Sequence, residues 1–392
     1  MTDVFLCAHR RTPIGRYGGA LAGLRPDDMA AMVIDGLLDL YPGLTVDEVI
    51  LGCANQAGED NRNIARMAVL LSHLPETVPA FTVNRLCASG LDAVIAGGRA
   101  IRDGADVIIA GGVESMTRAP LVMAKADTAF ARSQPIYDTT IGWRFVNDKI
   151  AAAYGIESMP ETAENVAADH GISRADQDAF ALRSQQRYDA EWHAADIQPV
   201  TLPTRKGEAQ VISADEHPRT TSLEKLRALP APFRQGGAVT AGNAAGINDG
   251  ACAMILASAA GIKRHGLSPI ARIGAAASAG VAPRVMGLGP VAALARLTDK
   301  TGLSAKDFDV IELNEAFAAQ VLACTRAWGL ADDAAQVNAH SGGIAMGHPL
   351  GMSGARIAAT AARRLNETGG KTALATLCVG VGQGVALAIH SL

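Results

Sequence analysis

Aromatic residues are scarce, at 4% of a 392-residue chain that contains three Trp and five Tyr. That scarcity suits tightly packed α/β layers, in which small residues fill the contacts. Charge is also sparse. Charged residues make up 19%, the net charge is −4, and no run of Lys or Arg exceeds two or three residues. Neither a nucleic acid nor an anionic membrane finds the basic stripe it needs. A small anionic ligand needs only a local group of cations and stays open. The six cysteines, Cys7, Cys53, Cys87, Cys252, Cys324 and Cys378, form no C-x-x-C pair and sit at no zinc-ligand spacing from a His. No metal site is expected, and no disulfide framework in so long a chain without a secretory signal. Met1 to Gly15 places its basic residues after an apolar stretch too short for a signal core. No segment reaches the roughly 18–20 apolar residues of a membrane span. The expectation is a reduced, soluble, cytoplasmic protein with no membrane partner.

What is abundant is small and apolar: hydrophobic residues are 49%, and there are 41 Gly. Small residues let helices lie close on sheets, so the composition predicts packed α/β layers, and the length predicts two or three domains. Asp27 to Leu40 reads as a helix, with Met29, Met32, Val33 and Leu37 at helical spacing. Val49 to Gly52 reads as a buried strand, Ala88 to Arg102 as a helix, and Ala105 to Ala110 as a strand ending at Gly111-Gly112. The same order returns roughly 260 residues later, a period far too long for a solenoid. Asp309–Leu313 echoes Asp47–Leu51, the stretch from Asn338 to Gly354 echoes Asn84–Gly90, and Ala373–Gly380 echoes Val107–Ile109. Between the copies, amphipathic helices are predicted over Thr162 to His170 and Ser173 to Ala195, among polar and Pro-rich stretches. The expected fold is α/β, with two similar βαβ-type halves packed together. Residues 1–118, completed by about 246–268, form one half and 269–392 the other. Residues 119–245 are an inserted loop subdomain that can cover a ligand.

Four segments carry chemistry. In Asn84-Arg85-Leu86-Cys87-Ala88-Ser89-Gly90, Cys87 lies where a strand gives way to a helix. The positive end of a helix stabilises a thiolate, and the freed N–H of Cys87 can face an oxyanion. A cysteine so placed can equally be a buried packing residue. In Gly347-His348-Pro349, a His fenced by Gly and Pro can take a proton from a thiol, or be an ordinary core His. Leu377-Cys378-Val379-Gly380-Val381-Gly382-Gln383-Gly384 superficially resembles a nucleotide-binding loop, but only the strand-like Val385 to Leu392 follows. A strand, a glycine turn exposing Cys378 and a returning antiparallel strand is the better reading, with Cys378 able to shuttle a proton. In Leu313-Asn314-Glu315-Ala316-Phe317, Asn314 can hold a water or a carbonyl, or cap a helix.

Together these segments resemble the thiolase family over nearly the whole chain. Arg11-Thr12-Pro13-Ile14-Gly15, Gly111-Gly112-Val113-Glu114-Ser115-Met116, Thr240-Ala241-Gly242-Asn243 and Asn248-Asp249-Gly250-Ala251 match further family motifs in order. Arg16–Ala20, Cys53–Asn63 and Thr140–Phe145 look like the branch acting on 3-oxoadipyl-CoA. The resemblance implies ping-pong Claisen chemistry on acyl-CoA and CoA, with no metal or redox cofactor and CoA as a substrate. It implies Cys87 as nucleophile, His348 as its base and Cys378 as the second acid/base. A water held by Asn314 would join His348 on the thioester oxygen, and the N–H groups of Cys87 and Gly380 would bind the acyl-enzyme oxygen. By position, Arg219 and Ala245 are CoA contacts, and Met159, Met286 and Phe317 are pocket walls. A homo-oligomer, dimer or tetramer, is implied as well. The chain departs from the family at Ala339-His340-Ser341, where Pro-Asn-Gly is usual, and at Ala245, where many relatives have Ser. Arg144 and Arg62 are candidates for receiving a substrate carboxylate. Three alternatives stand beside the 3-oxoadipyl-CoA reading. They are a short-chain acetyl-CoA acetyltransferase or broad 3-oxoacyl-CoA thiolase, a Cys-His thioester hydrolase, and a non-catalytic acyl-CoA-binding protein.

Overall fold

The computed structural model describes residues 2–203 and 207–392. In the first half, β1 (Phe5–Arg11) leads to α1 (Pro26–Leu38), β2 (Glu48–Gly52), α2 (Ile64–Leu71), β3 (Ala80–Val83), α3 (Ser89–Arg102) and β4 (Val107–Ser115). The intervening stretch contributes α4 (Met159–Asp169), α5 (Arg174–Gln186) and two small two-stranded sheets. The chain then returns through β5 (Asn248–Ala257), β6 (Ala271–Gly280), α6 (Gly289–Thr301), β7 (Val310–Leu313), α7 (Ala318–Ala327), α8 (Leu350–Thr368), β8 (Thr372–Val379) and β9 (Gln383–His390).

These strands lie in the order β7-β8-β9-β6-β1-β5-β4-β2-β3. β2 runs parallel to both β3 and β4, and β5 is antiparallel to β4 and β1. The second half repeats the scheme: β7 runs parallel to β8, and β9 is antiparallel to β8 and β6. A bridge from Ile311 to Val337 stands where β3 pairs with β2. The halves join by a short β1–β6 pairing, Phe5 with Arg272 and Leu6 with Ala271. The predicted two-fold repeat is therefore present in the hydrogen-bonding pattern.

α3 and α8 pack against each other and against strands of both halves, and their side chains share one apolar cluster with both. α8 is buried almost all round, from Gly351 to Ala362. Two outer clusters, under α1 and α2 on one side and under α6 and α7 on the other, complete the layers. The helices of the centre meet at glycines. A Cβ on Gly90 would lie 2.5 Å from the Gly351 carbonyl oxygen, and one on Gly354 would lie 2.3 Å from the Leu91 nitrogen.

Three local expectations change. The strand expected to end at Gly111-Gly112 continues to Ser115, because those glycines serve close approach and not a turn. A Cβ on Gly112 would lie 2.0 Å from the Gly351 oxygen, so its absence lets the start of α8 rest on the sheet. The helix expected over Ser173 to Ala195 is broken after Gln186, where Asp189 caps a new short helix by accepting from the Trp192 N–H at 3.0 Å. The helix expected from Ala88 is preceded by a 3-10 turn, Leu86–Ala88, that contains Cys87.

Since the neighbours of Gly90 are backbone atoms, they cannot rotate away. Gly90→Ala should destabilise the fold by about 1–3 kcal/mol. A denaturant midpoint unchanged from wild type would contradict the close crossing.

Candidate active site

Cys87 sits in its 3-10 turn through a set of local bonds. Asn84 Oδ1 accepts the Leu86 N–H at 2.9 Å, and Ser89 Oγ accepts the Arg85 N–H at 2.9 Å while donating to the Leu86 carbonyl at 2.7 Å. Leu86 adopts φ 47°, a left-handed conformation that is rare for a bulky residue. Across the cavity Val381 does the same at φ 64°, in the turn between β8 and β9. Arg85 ties the two turns together: its guanidinium pairs with Asp92 and donates to Gln383 Oε1 at 2.8 Å. Strain on both sides of one cysteine is a mark of a functional site.

Of the six cysteines, Cys87 alone is not fully buried. Its thiol pKa is nevertheless pushed up to about 11, chiefly by burial, with the nearby carboxylate of Glu114 adding to the rise. The N–H groups of Gly380 and of Cys87 itself bond to the sulfur and oppose the rise. The expected helix-start stabilisation of a resting thiolate is thus outweighed, and the thiol rests protonated. Cys378 lies in β8 next to the turn and is 1% exposed, so the turn does not expose it as expected. Burial drives its pKa well up, and Cys87 is its leading electrostatic neighbour. Around it cluster Met286, Phe317, Ala316 and Met159, three of which were expected pocket walls.

His348 stands just before α8. Gly347, at φ 104°, leads into it, and a Cβ there would lie 2.5 Å from the Asn248 amide carbon. That amide matters, because Asn248 Oδ1 accepts the His348 N–H at 2.9 Å. Ser353 Oγ donates to the Pro349 carbonyl at 2.9 Å and lies 2.6 Å from His348 Nδ1. With its one proton engaged, the hydroxyl accepts from Nδ1–H, which leaves the lone pair on Nε2. The Asn314 amide nitrogen lies 3.4 Å from Nε2. Burial, reinforced by the Arg356 cation, pulls the His348 pKa down to about 3. His348 is therefore a neutral imidazole whose unprotonated Nε2 faces the Asn314 amide. Asn314 is no helix cap, since Phe317 fills that position before α7, and its side-chain oxygen has no hydrogen-bond partner among the described residues.

Cys87 opens into a cavity of about 190 Å³ whose lining includes Leu86, Met159, Leu350, Gly380, Val381 and Arg144. Arg62 is exposed and does not line it. Ala245 is held beside the Asn-Glu segment, its N–H donating to the Ala316 carbonyl at 2.9 Å. Arg219 lies in a separate groove with Gln185 and Tyr188, bonded to the Ala241 carbonyl at 3.3 Å. Sequence reasoning gave no role to Asn248, Ser353 or Glu114. Glu114, 2% exposed, accepts N–H groups from Ala54, Asn55 and Gly351 at 2.8, 3.0 and 2.9 Å, and so fixes the start of α8 to the end of β2. The signal for Ser353 was its place one helical turn into the helix that follows His348. No group of three or more His, Cys, Asp or Glu side chains suited to a metal occurs among the described residues, nor does a helix long and apolar enough to cross a membrane.

The doubled α/β scaffold and its paired cysteines define an acyltransferase. The chain belongs to the thiolase family: residues 4–260 match the thiolase N-terminal domain and residues 267–391 the thiolase C-terminal domain. It is 57% identical over 402 residues to a beta-ketoadipyl-CoA thiolase of Pseudomonas putida, covering 100% of both chains. It is 57% identical over 399 residues to the 3-oxoadipyl-CoA/3-oxo-5,6-dehydrosuberyl-CoA thiolase of Escherichia coli K12, again covering 100% of both. The crystal structure of human mitochondrial 3-ketoacyl-CoA thiolase in complex with CoA superposes with a TM-score of 0.90 at 38% identity, over 100% of this chain and 98% of that one.

Alkylation should report the state of Cys87. Iodoacetamide should modify Cys87 before the other five cysteines, as read by peptide mass analysis. With a pKa near 11, the rate should rise about tenfold per pH unit between pH 7 and pH 9. Preferential labelling of Cys7 or Cys252, or a rate flat over that range, would contradict this account.

Proposed function

We propose that the enzyme cleaves 3-oxoadipyl-CoA with CoA to give succinyl-CoA and acetyl-CoA. The observation behind the substrate is the 57% identity, end to end, to relatives named for that chain. In the first step His348 Nε2 takes the Cys87 proton and the sulfur adds to the C3 ketone. The C2–C3 bond then breaks, acetyl-CoA leaves as its enolate, and the Cys378 thiol protonates C2. This leaves a succinyl thioester on Cys87 and a thiolate on Cys378. In the second step the Cys378 thiolate takes the proton of incoming CoA, whose sulfur attacks the thioester. Cys87 departs and recovers its proton from His348.

Two oxyanions form at different atoms. His348 and a water on Asn314 suit the thioester oxygen of the departing enolate, and the unpartnered oxygen of Asn314 supports that role. The N–H groups of Cys87 and Gly380 suit the oxygen on the carbon that Cys87 attacks, because both already point at its sulfur. CoA enters as substrate, and every proton is carried by this chain's own side chains. Arg219 and Ala245 then serve the CoA arm, and Met159, Met286 and Phe317 shape the space around the reacting carbons.

Two measurements test the reading. Steady-state thiolysis with free CoA should give a higher kcat/KM for 3-oxoadipyl-CoA than for acetoacetyl-CoA. Better turnover of acetoacetyl-CoA would remove the substrate and leave the chemistry. Cys378→Ser should slow α-proton exchange of acetyl-CoA by about 10²–10⁴-fold, the size of a lost general acid/base. It should slow acyl transfer from a simple acyl-CoA to free CoA less, because the CoA thiol ionises far more readily than a carbon acid and so depends less on the Cys378 base. Equal losses in both assays would contradict the assignment of Cys378 to the carbanion.

A further inference from the structure

The Cys87 cavity is walled mainly by apolar groups, and Arg144 is the one cationic side chain among those lining it. It is partly buried, and it makes no hydrogen bond or ion pair among the described residues. An arginine held against apolar walls without a partner loses hydration and gains nothing, unless an anion comes to it.

Its position is built. Thr139 anchors the segment from below: its Oγ donates to the Pro120 carbonyl at 2.6 Å and accepts from Asn55 Nδ2 at 3.0 Å. Gly142 turns the chain at φ 92°. On one side of Arg144, Trp143 donates from Nε1 to the Glu157 carbonyl at 3.3 Å. On the other side, the Phe145 ring packs on Tyr137 with centroids 4.9 Å apart, and Phe145 adopts φ 49° to do so. Trp143 and Phe145 thus tie the chain on either side of Arg144 to Glu157 and Tyr137. Glu157 also lines the cavity, but its carboxylate is turned to Asn165, accepting from Nδ2 at 2.9 Å, and has Arg284 as a charged neighbour. It forms no ion pair with Arg144.

We infer that Arg144 receives the distal carboxylate of a dicarboxylic acyl chain carried on Cys87, and so sets the enzyme's preference for dicarboxylic over neutral 3-oxoacyl-CoA substrates. This rests on the 3-oxoacyl-CoA cleavage proposed above. A guanidinium offers a carboxylate two parallel N–H donors, a geometry that ammonium cannot copy. A neutral chain of equal length would leave Arg144 unpaired in a closed site, which is a penalty as well as a missing gain. Asn55 does not compete for the role, since its amide is engaged with Thr139 and with the Ala57 N–H at 2.9 Å.

The test compares 3-oxoadipyl-CoA with 3-oxohexanoyl-CoA, which has the same number of acyl carbons and a methyl in place of the carboxylate. The ratio of kcat/KM values in the wild type tests the substrate reading. The change of that ratio in Arg144→Met tests the present inference. Arg144→Met should lower kcat/KM for 3-oxoadipyl-CoA by about 10- to 100-fold, through KM, and leave 3-oxohexanoyl-CoA within about threefold. Arg144→Lys should recover part of the loss for the dicarboxylic substrate only. An equal fall for both substrates would show that Arg144 merely holds the loop, and no fall for either would place the carboxylate elsewhere. Either result overturns the inference. A wild type without preference for the dicarboxylic chain would instead overturn the substrate reading.

Discussion

The site depends on one steric constraint, the contact of two helix starts through glycine. Gly90 is the second residue of α3 and Gly351 the second of α8, and their backbones touch with no side chain between them. Cys87 stands three residues before the first and His348 three residues before the second. A helix can be pushed this close to another only if the facing residues lack a Cβ, and interiors packed at crystal-like density leave no slack for adjustment. The same requirement explains Gly112 on the sheet beneath, and the buried carboxylate of Glu114, which collects three backbone N–H groups where β2 ends and α8 starts. Two halves that resemble each other thus contribute unlike groups, a thiol from one helix start and an imidazole from the other.

Electrostatics in this centre keep the Cys87 thiol and the His348 imidazole uncharged at rest. Burial raises the Cys87 thiol and lowers the His348 imidazole, so a resting thiolate–imidazolium pair is disfavoured. Arg356 strengthens the second effect. It lies in the core, 2% exposed, with Nε and Nη2 lacking hydrogen-bond partners among the described residues, and its charge bears on His348. A reaction that must create charge transiently gains from such a site, because donors fixed in advance meet the charge when it appears. The N–H groups aimed at the Cys87 sulfur have that character.

Much of this was legible because the chemistry sits in short contiguous motifs. Cys87, His348 and Cys378 each announce themselves by the Gly, Pro or Ser residues that surround them in the chain. The doubled halves were legible from repeated strand-like runs such as Asp47–Leu51 and Asp309–Leu313. The rest depends on tertiary contacts. Gly111-Gly112 read as a strand end because a sequence does not show that Cys252 and Gly351 press on those positions. The single pattern of α5 and the short helix after it hid a break that Asp189 caps. Arg62 and Arg144 looked alike until the fold placed one outside the cavity and the other on its wall.

The segment around Ala339-His340-Ser341 is held in place by side chains packed about it. Asn338 and Ser341 both adopt left-handed backbone, at φ 47° and 77°, although neither is glycine. Asn tolerates this conformation, whereas for Ser341 it costs about 1–2 kcal/mol. It is offset on the spot. Asn338 Nδ2 donates to the Leu313 carbonyl at 2.8 Å and to Glu315 Oε1 at 3.0 Å, and its Oδ1 accepts the Leu313 N–H at 2.9 Å. His340 stacks on Trp192 at 4.1 Å and 4°, the Arg363 guanidinium lies 3.9 Å from the centre of the Trp192 ring, and the His340 carbonyl lies 2.7 Å from His193 Nε2. Stacks of this kind contribute about 0.5–1.5 kcal/mol beyond their area. The bonds of Asn338 reach both neighbours of Asn314 in the chain, so the loop holds in place the segment whose amide faces His348. With neither Pro to fix φ nor Gly to accept a positive φ in this segment, side chains clamp it from outside, and the inserted segment supplies Trp192 as the anvil.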